Sequence, residues 1–289
     1  MRRPMWWLLL ILISLTACGR AAPTQIRFDQ VEEYPHTRRL HDTLRIGVVT
    51  MLSPRESFAA YRDLADHLGE QLGLPADMVL RKSYAELNEL VRTAAVDLAL
   101  VGYGGYEAGR QQFGMQALAM GQLDGATESD ALLLVRTDST AVQFRDLRGA
   151  AVAFTDPLSI SGHLALRGWM AEQELIPEAF FGKVLFTYSQ DGAVDAVIGR
   201  VVDGAVVDAY QYRSYLGQHP NLDGKLRVLM RLKTPGSMLF AARADLPAEK
   251  AAQYRRVLLA MSDSQAGRKV LAGLMVERFV PPPKEDDGP

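Results

Sequence analysis

The 289 residues include a single cysteine, Cys18, so no disulfide or multi-thiolate metal site can form within one chain. Neither sign of charge is in excess: 32 Lys and Arg stand against 34 Asp and Glu, a formal net charge of −2. No dense Lys/Arg run is present either, so the basic field that attracts nucleic acid is lacking and that class of partner is set aside. Catalytic signatures are also missing. There is no G-x-S-x-G elbow, HExxH pair, P-loop or metal-spaced His/Asp cluster, and Ser161 is separated from His163 by a single residue. The expectation is a protein that is not an enzyme and carries no cofactor. What is present is an ordinary globular balance, 48% hydrophobic and 23% charged, over a length that suits two domains or one bilobed protein.

The N-terminus has a pattern of its own. Arg2 and Arg3 precede an apolar stretch, Trp6 to Leu15, that is short for a bilayer span. It runs into Leu15-Thr16-Ala17-Cys18-Gly19, which resembles a bacterial lipobox. That resemblance implies a lipoprotein signal peptide over 1–18, with Cys18 as the lipidated residue. The rest would then be periplasmic and held to a cell-envelope membrane by acyl chains. The alternative is an uncleaved anchor, which also takes the chain out of the cytoplasm. Residues 19–43 are polar with little periodicity and read as a tether. Residues 281–289 (PPPKEDDGP) read as a disordered tail.

Between these ends, strands and helices alternate. Leu44–Thr50 reads as a buried strand, and Ser57–Leu72 as a helix stopped by Gly73. Met78–Arg81 is a second strand, and Ser83–Ala94 a second helix with a capping-box spacing from Ser83 to Glu86. Val96–Val101 is a third strand, ending in the glycine-rich turn Gly102-Tyr103-Gly104-Gly105-Tyr106. This order predicts a parallel sheet covered by helices. A second series follows, with strands at Ala131–Arg136, Ala150–Phe154, Lys183–Thr187, Gly204–Val207, Leu226–Leu232 and Met238–Ala242. Helical patterns lie after Asp156, over Gln190–Gly199 and from Pro247 to Phe279, and Pro177 closes the first of them.

In parallel α/β sheets, ligands gather beyond the carboxyl ends of strands, where helix N-termini point. Asp156–Gly162 falls at such a place. Uncapped N–H groups and the helix dipole there favour an anion, Ser159 and Ser161 add hydroxyls, and Gly162 allows close approach. His163 adds a donor and, when protonated, charge. The first turn has no acid to compete with a bound oxyanion. The plainer alternatives are that a serine caps its own helix and that His163 is simply a satisfied histidine.

Several segments together resemble the phosphonate-type periplasmic binding proteins of ATP-driven importers. They are RIGVVTMLSPRESFAAYRDLADHLGEQLG, SYAELNELVRTAAVDLALVGYGGYEAG, Asp146-Leu147-Arg148-Gly149 with Asp156-Pro157, Ser159 and Ser161-Gly162, and VLFTYSQDGAVDAVIGRVVDGAVVD. The resemblance runs from Leu44 to Leu246. It implies an α/β clamshell of the class II binding-protein type, with lobe 1 formed by 44–131 and 234–280 and lobe 2 by 132–233. The two crossovers would lie near Ala131–Arg136 and Arg231–Ser237.

It further implies ligand-facing roles for Tyr84, for one of Tyr103 and Tyr106, and for Ser159, Ser161 and Gly162. Gln190 and Asp208 stand at strand ends on the same side. Two positions depart from the family: Gln190 where histidine is frequent, and Ile160 where threonine is usual. The segment Lys233–Met238 also lacks an expected acid, so Asp208 has no clear second carboxylate beside it. The implied ligand is a small anion, a phosphonate, phosphite or phosphate-like species. The implied partner is an ABC permease or, in the alternative, a signalling receptor. Nothing in the sequence supports association beyond a monomer.

Overall fold

The computed structural model describes residues 43–49, 54–236 and 238–283. Cys18, the expected signal segment over 1–18, all but the end of the expected tether and the expected tail from position 284 lie outside the described residues.

Two sheets organise the chain. In the first, β1 (Leu44–Val49) lies parallel to β2 (Ala76–Arg81) on one side and β3 (Leu98–Val101) on the other. Helices α1 (Pro54–Leu72) and α2 (Tyr84–Arg92) make the two crossovers. The sheet continues with antiparallel neighbours: β10 (Leu239–Ala242) beside β3, β4 (Gln116–Gln122) beside β10, and β11 (Arg278–Val280) at the edge. The second sheet has the same plan. β6 (Ala151–Phe154) lies parallel to β7 (Lys183–Phe186) and β8 (Gly204–Asp208), then β5 (Ser129–Arg136) and β9 (Leu226–Thr234) add antiparallel. The parallel sheet expected from the first series is present as β2-β1-β3, and each whole sheet is mixed. The parallel triplets are the βαβαβ runs legible in the sequence, and the added strands include those on either side of each passage between sheets.

The chain leaves the first sheet after Gln122 and joins the second at Ser129; it returns between Thr234 and Leu239. The two passages touch. Gly121 N–H donates to Met238 O at 3.0 Å, and a Cβ on Gly236 would stand 1.8 Å from Thr127 O. Only glycine fits at 236.

Each lobe has its own apolar interior. Ile46, Leu64, Leu68, Leu100 and Phe240 are buried in the first, Val152, Phe154, Leu166, Met170 and Val206 in the second. Each such side chain contributes roughly 1.5–3 kcal/mol of hydrophobic stabilisation.

The glycine-rich turn after β3 is in fact the opening of a helix, α3 (Tyr103–Phe113), with Gly102 at its N-cap and Gly114 closing it at φ 72°. Glycine disfavours helix by about 1 kcal/mol per residue, which is why the segment reads as a loop. Packing overrides that preference: a Cβ at Gly105 would meet the Tyr84 ring at 2.9 Å, and one at Gly104 would meet Leu158 O at 2.2 Å. In the second lobe, a π-helical turn (Ile160–Leu164) leads into α4 (Ala165–Glu172). Pro177 opens the short α5 (Pro177–Phe180) instead of closing a helix, as proline at N1 can. Helices α6 (Gln190–Ile198), α7 (Ala209–Gln218), α8 (Ala248–Leu259) and α9 (Gln265–Gly273) complete the covering layers. Among the described residues no helix is long and apolar enough to cross a membrane.

Candidate functional site

Two helix starts meet across the lobes. In lobe 1, Ser83 caps α2, its Oγ accepting from Glu86 N at 3.2 Å, while the Glu86 carboxylate accepts from Lys82 N at 3.1 Å. The sequence motif is thus a capping arrangement whose return bond lands one residue early. Tyr84, the first helical residue, has its N–H satisfied from the other lobe. Asp156, at the end of β6, accepts from Tyr84 N through Oδ2 at 3.2 Å and from Leu158 N through Oδ1 at 2.7 Å. Asp156 is 4% exposed, and burial raises its pKa above the usual aspartate value against the pull of those two bonds. A carboxyl group of lobe 2 therefore occupies the positive end of a lobe 1 helix.

The lobe 2 start is built differently. Ser159 is its N-cap, with Oγ accepting from Gly162 N at 3.0 Å, and Leu164 N reaches back five residues to Ser159 O at 2.8 Å. The hydroxyl of Ser159 accepts in this cap and keeps its proton free to donate. Among the described residues, no acceptor is present for the N–H groups of Ile160 and Ser161. A π-type first turn leaves one more N–H outside the helix ladder than an α-type turn does. A Cβ on Gly162 would stand 1.8 Å from Thr155 Oγ1, so the glycine is required there. That Thr155 oxygen is buried without a hydrogen-bond partner among the described residues.

Asp208, at the end of β8, is fully buried. Its Oδ2 accepts from Ser129 Oγ at 2.8 Å, its Oδ1 accepts from Tyr210 N at 2.9 Å and Gln211 N at 3.1 Å, and Ser161 also bonds to it. Burial raises its pKa, and the hydrogen bonds oppose that. Gln190 fixes the same corner: its Oε1 accepts from Asp208 N at 3.0 Å. Tyr84 lies within electrostatic reach of Asp156, Tyr61 and Asp208; burial first, then Asp156, pushes its phenol well above the ordinary value. It stays a neutral O–H group. The structure thus brings Tyr84, Ser161 and Asp208 to one place with Ser159, Ile160, Gly162 and Gln190 around them.

Other expected residues sit elsewhere. His163 packs edge-on against Phe154 and Phe186, with centroids 4.8 and 5.1 Å apart, and its Nδ1 bonds Pro157 O at 2.8 Å. Burial lowers its pKa, so it brings no charge to an anion at neutral pH. Tyr103 and Tyr106 pair edge-to-face at 6.2 Å, with Tyr106 in the lobe 1 core and Tyr103 half-buried. The first turn is free of acids, as expected; Asp156 lies three residues before its Ser159 cap and Asp208 is hydrogen-bonded by Ser161. Sequence reasoning gave no role to Asp156, Thr155, Ser129 or Tyr61. Asp156 had a signal, being an acid directly after a strand. Ser129 had none, because its partner lies 79 residues away.

A two-lobed α/β clamshell with opposed helix starts at the strand ends is the architecture of periplasmic substrate-binding proteins. Residues 46–286 match the family described as "ABC transporter, phosphonate, periplasmic substrate-binding protein", and the chain belongs to that family. Members are substrate-binding components of transport, not enzymes. The fold is shared with a binding-protein component of an ABC phosphonate transporter from Pseudomonas aeruginosa (TM-score 0.77, 20% identity, 83% of this chain and 81% of that one). It is also shared with PhnD1 of Prochlorococcus marinus in complex with methylphosphonate (TM-score 0.74, 17% identity, 83% and 93%). A third similar structure is a protein of Xanthomonas citri bound to ATP (TM-score 0.68, 17% identity, 85% and 92%).

Proposed function

We propose that this chain is the solute-binding lipoprotein of an importer and that it captures a small phosphorus oxyanion between its lobes. Lobe 2 comprises Ser129–Thr234 around the second sheet, lobe 1 the segments on either side of it around the first sheet, and the chain is tethered through Cys18. The ligand is a phosphonate, phosphite or phosphate-like anion, and its oxygens take the Ile160 and Ser161 amides, left open beside the Ser159–Gly162 cap, with the Ser159 hydroxyl. Tyr84 supplies a neutral O–H from the facing lobe. Closing the lobes excludes water, which strengthens these charge-assisted bonds. Because the ligand contacts both lobes, it favours the closed shape by differential affinity, and a permease reads that shape.

The observation that carries this reading is the contrast in satisfaction: lobe 1's helix start already holds Asp156, whereas lobe 2's has N–H groups without acceptors among the described residues. A thermal-shift panel of phosphate, phosphite, methylphosphonate, aminoethylphosphonate, sulfate and nitrate tests it. One phosphorus oxyanion should raise the melting temperature in a concentration-dependent way, by mass action. No shift with any of them refutes the reading. A second reading keeps the same capture but delivers the closed form to a signalling receptor. Its support is that Gln190 is engaged by Asp208 N and Ile160 offers no side-chain donor, both departures from the family pattern. Uptake of the ligand that survives deletion of this chain would favour it.

A further inference from the structure

Beside the helix starts, between α1 and α9 of lobe 1 and α7 of lobe 2, lies a chamber of about 290 Å³. Tyr61, Met238, Leu274 and Met275 give it carbon walls; Gln211 and Ser214 give it neutral polar groups. No described residue lining it carries a charge. Two of its lining residues also interact with residues of the seat. Gln211 lines the chamber while its N–H bonds Asp208, and Tyr61 lines it while lying within electrostatic reach of Tyr84. The volume matters. A cavity of roughly 150 Å³ holds benzene, so this one has room for a ring and more.

We propose that the chamber is a second subsite, which takes an uncharged, ring-sized organic substituent carried by the same ligand. The inference rests on the oxyanion reading above and narrows it: the cargo is an organic phosphonate with an apolar or neutral polar group, instead of an inorganic oxyanion or an aminoalkyl phosphonate. An ammonium group in this chamber would lose its hydration and find no counter-charge among the described lining residues.

Calorimetric titration of the full-length chain with methylphosphonate, phenylphosphonate and 2-aminoethylphosphonate tests it. Phenylphosphonate should bind at least about tenfold tighter than methylphosphonate, with aminoethylphosphonate the weaker of the two larger ligands. Filling the chamber with Ser214→Trp, or with Ala272→Leu should the first variant misfold, should bring phenylphosphonate to within about twofold of methylphosphonate. Methylphosphonate binding with phenylphosphonate equal or weaker overturns the subsite and leaves the seat standing. A tenfold preference that persists in a folded filled variant also overturns it, as does aminoethylphosphonate binding tightest. Binding of none of the three overturns the subsite, and overturns the reading beneath it as well when phosphate and phosphite also fail to bind.

Discussion

The two helix starts that face each other share a serine N-cap after a parallel strand, yet have opposite electrostatic fates. At α2 the protein supplies its own anion: the Asp156 carboxyl sits on Tyr84 N and thereby ties lobe 2 to lobe 1. At the π turn before α4, Ser159 satisfies Gly162 N alone and no acid lies in the first turn. A helix N-terminus is equivalent to about half a positive charge, and either an internal carboxylate or a bound ligand can balance it. In this chain the first solution is used between the lobes; under the proposed function the second is left for cargo.

The contact that holds the two starts together can be broken most severely at Gly104. A side chain there collides with Leu158 O, so Gly104→Val should keep the lobes apart and weaken methylphosphonate binding by at least about 100-fold, roughly 2.7 kcal/mol in a titration. An unaffected affinity would mean that closure over Leu158 is not required. Next in size is the latch itself. Asp156→Ala should lower unfolding free energy in urea by about 1–3 kcal/mol through loss of its bonds to Tyr84 N and Leu158 N, and Asp156→Asn should lower it less because an amide oxygen can still accept. Equal losses in both would assign the effect to packing. Removing the lobe 2 cap by Ser159→Ala should cost about 1 kcal/mol of stability and also weaken the ligand. A stability loss with unchanged affinity would reduce Ser159 to a cap.

The smallest effect is a pH dependence within lobe 2. Burial holds His163 below its ordinary pKa, so the folded state binds fewer protons than the unfolded state as pH falls below about 6.5. Stability should therefore fall from pH 6.5 downward until the folded-state histidine itself titrates. The slope should flatten in His163→Phe, as followed by thermal melts across pH 4.5–7. An identical slope in the variant would remove His163 as its source.

Local chemistry made much of this comparison legible in the sequence. The parallel triplets follow from β-branched runs separated by helical periodicity, and Ser83 with Glu86 announced the α2 cap. The Ser159–Gly162 turn was placed correctly at a strand end. What the sequence hid depends on distance. Asp156 and Tyr84 are 72 residues apart, and Ser129 and Asp208 are 79 apart, so no local pattern pairs them. The GYGGY segment was hidden by its own composition, since its glycines serve the approach of Leu158 and Tyr84, not a turn. His163 shows the reverse case. Its position in sequence suggested the seat, while its ring went into an aromatic cluster that only the fold assembles.

The division of labour between the two helix starts is tested most directly by a crystal structure of the chain grown with methylphosphonate. The account predicts phosphonate oxygens within hydrogen-bond distance of the Ile160 and Ser161 amides, with Asp156 still on Tyr84 N. A phosphonate seated on Tyr84 N with Asp156 displaced, or bound away from residues 159–162, would contradict it.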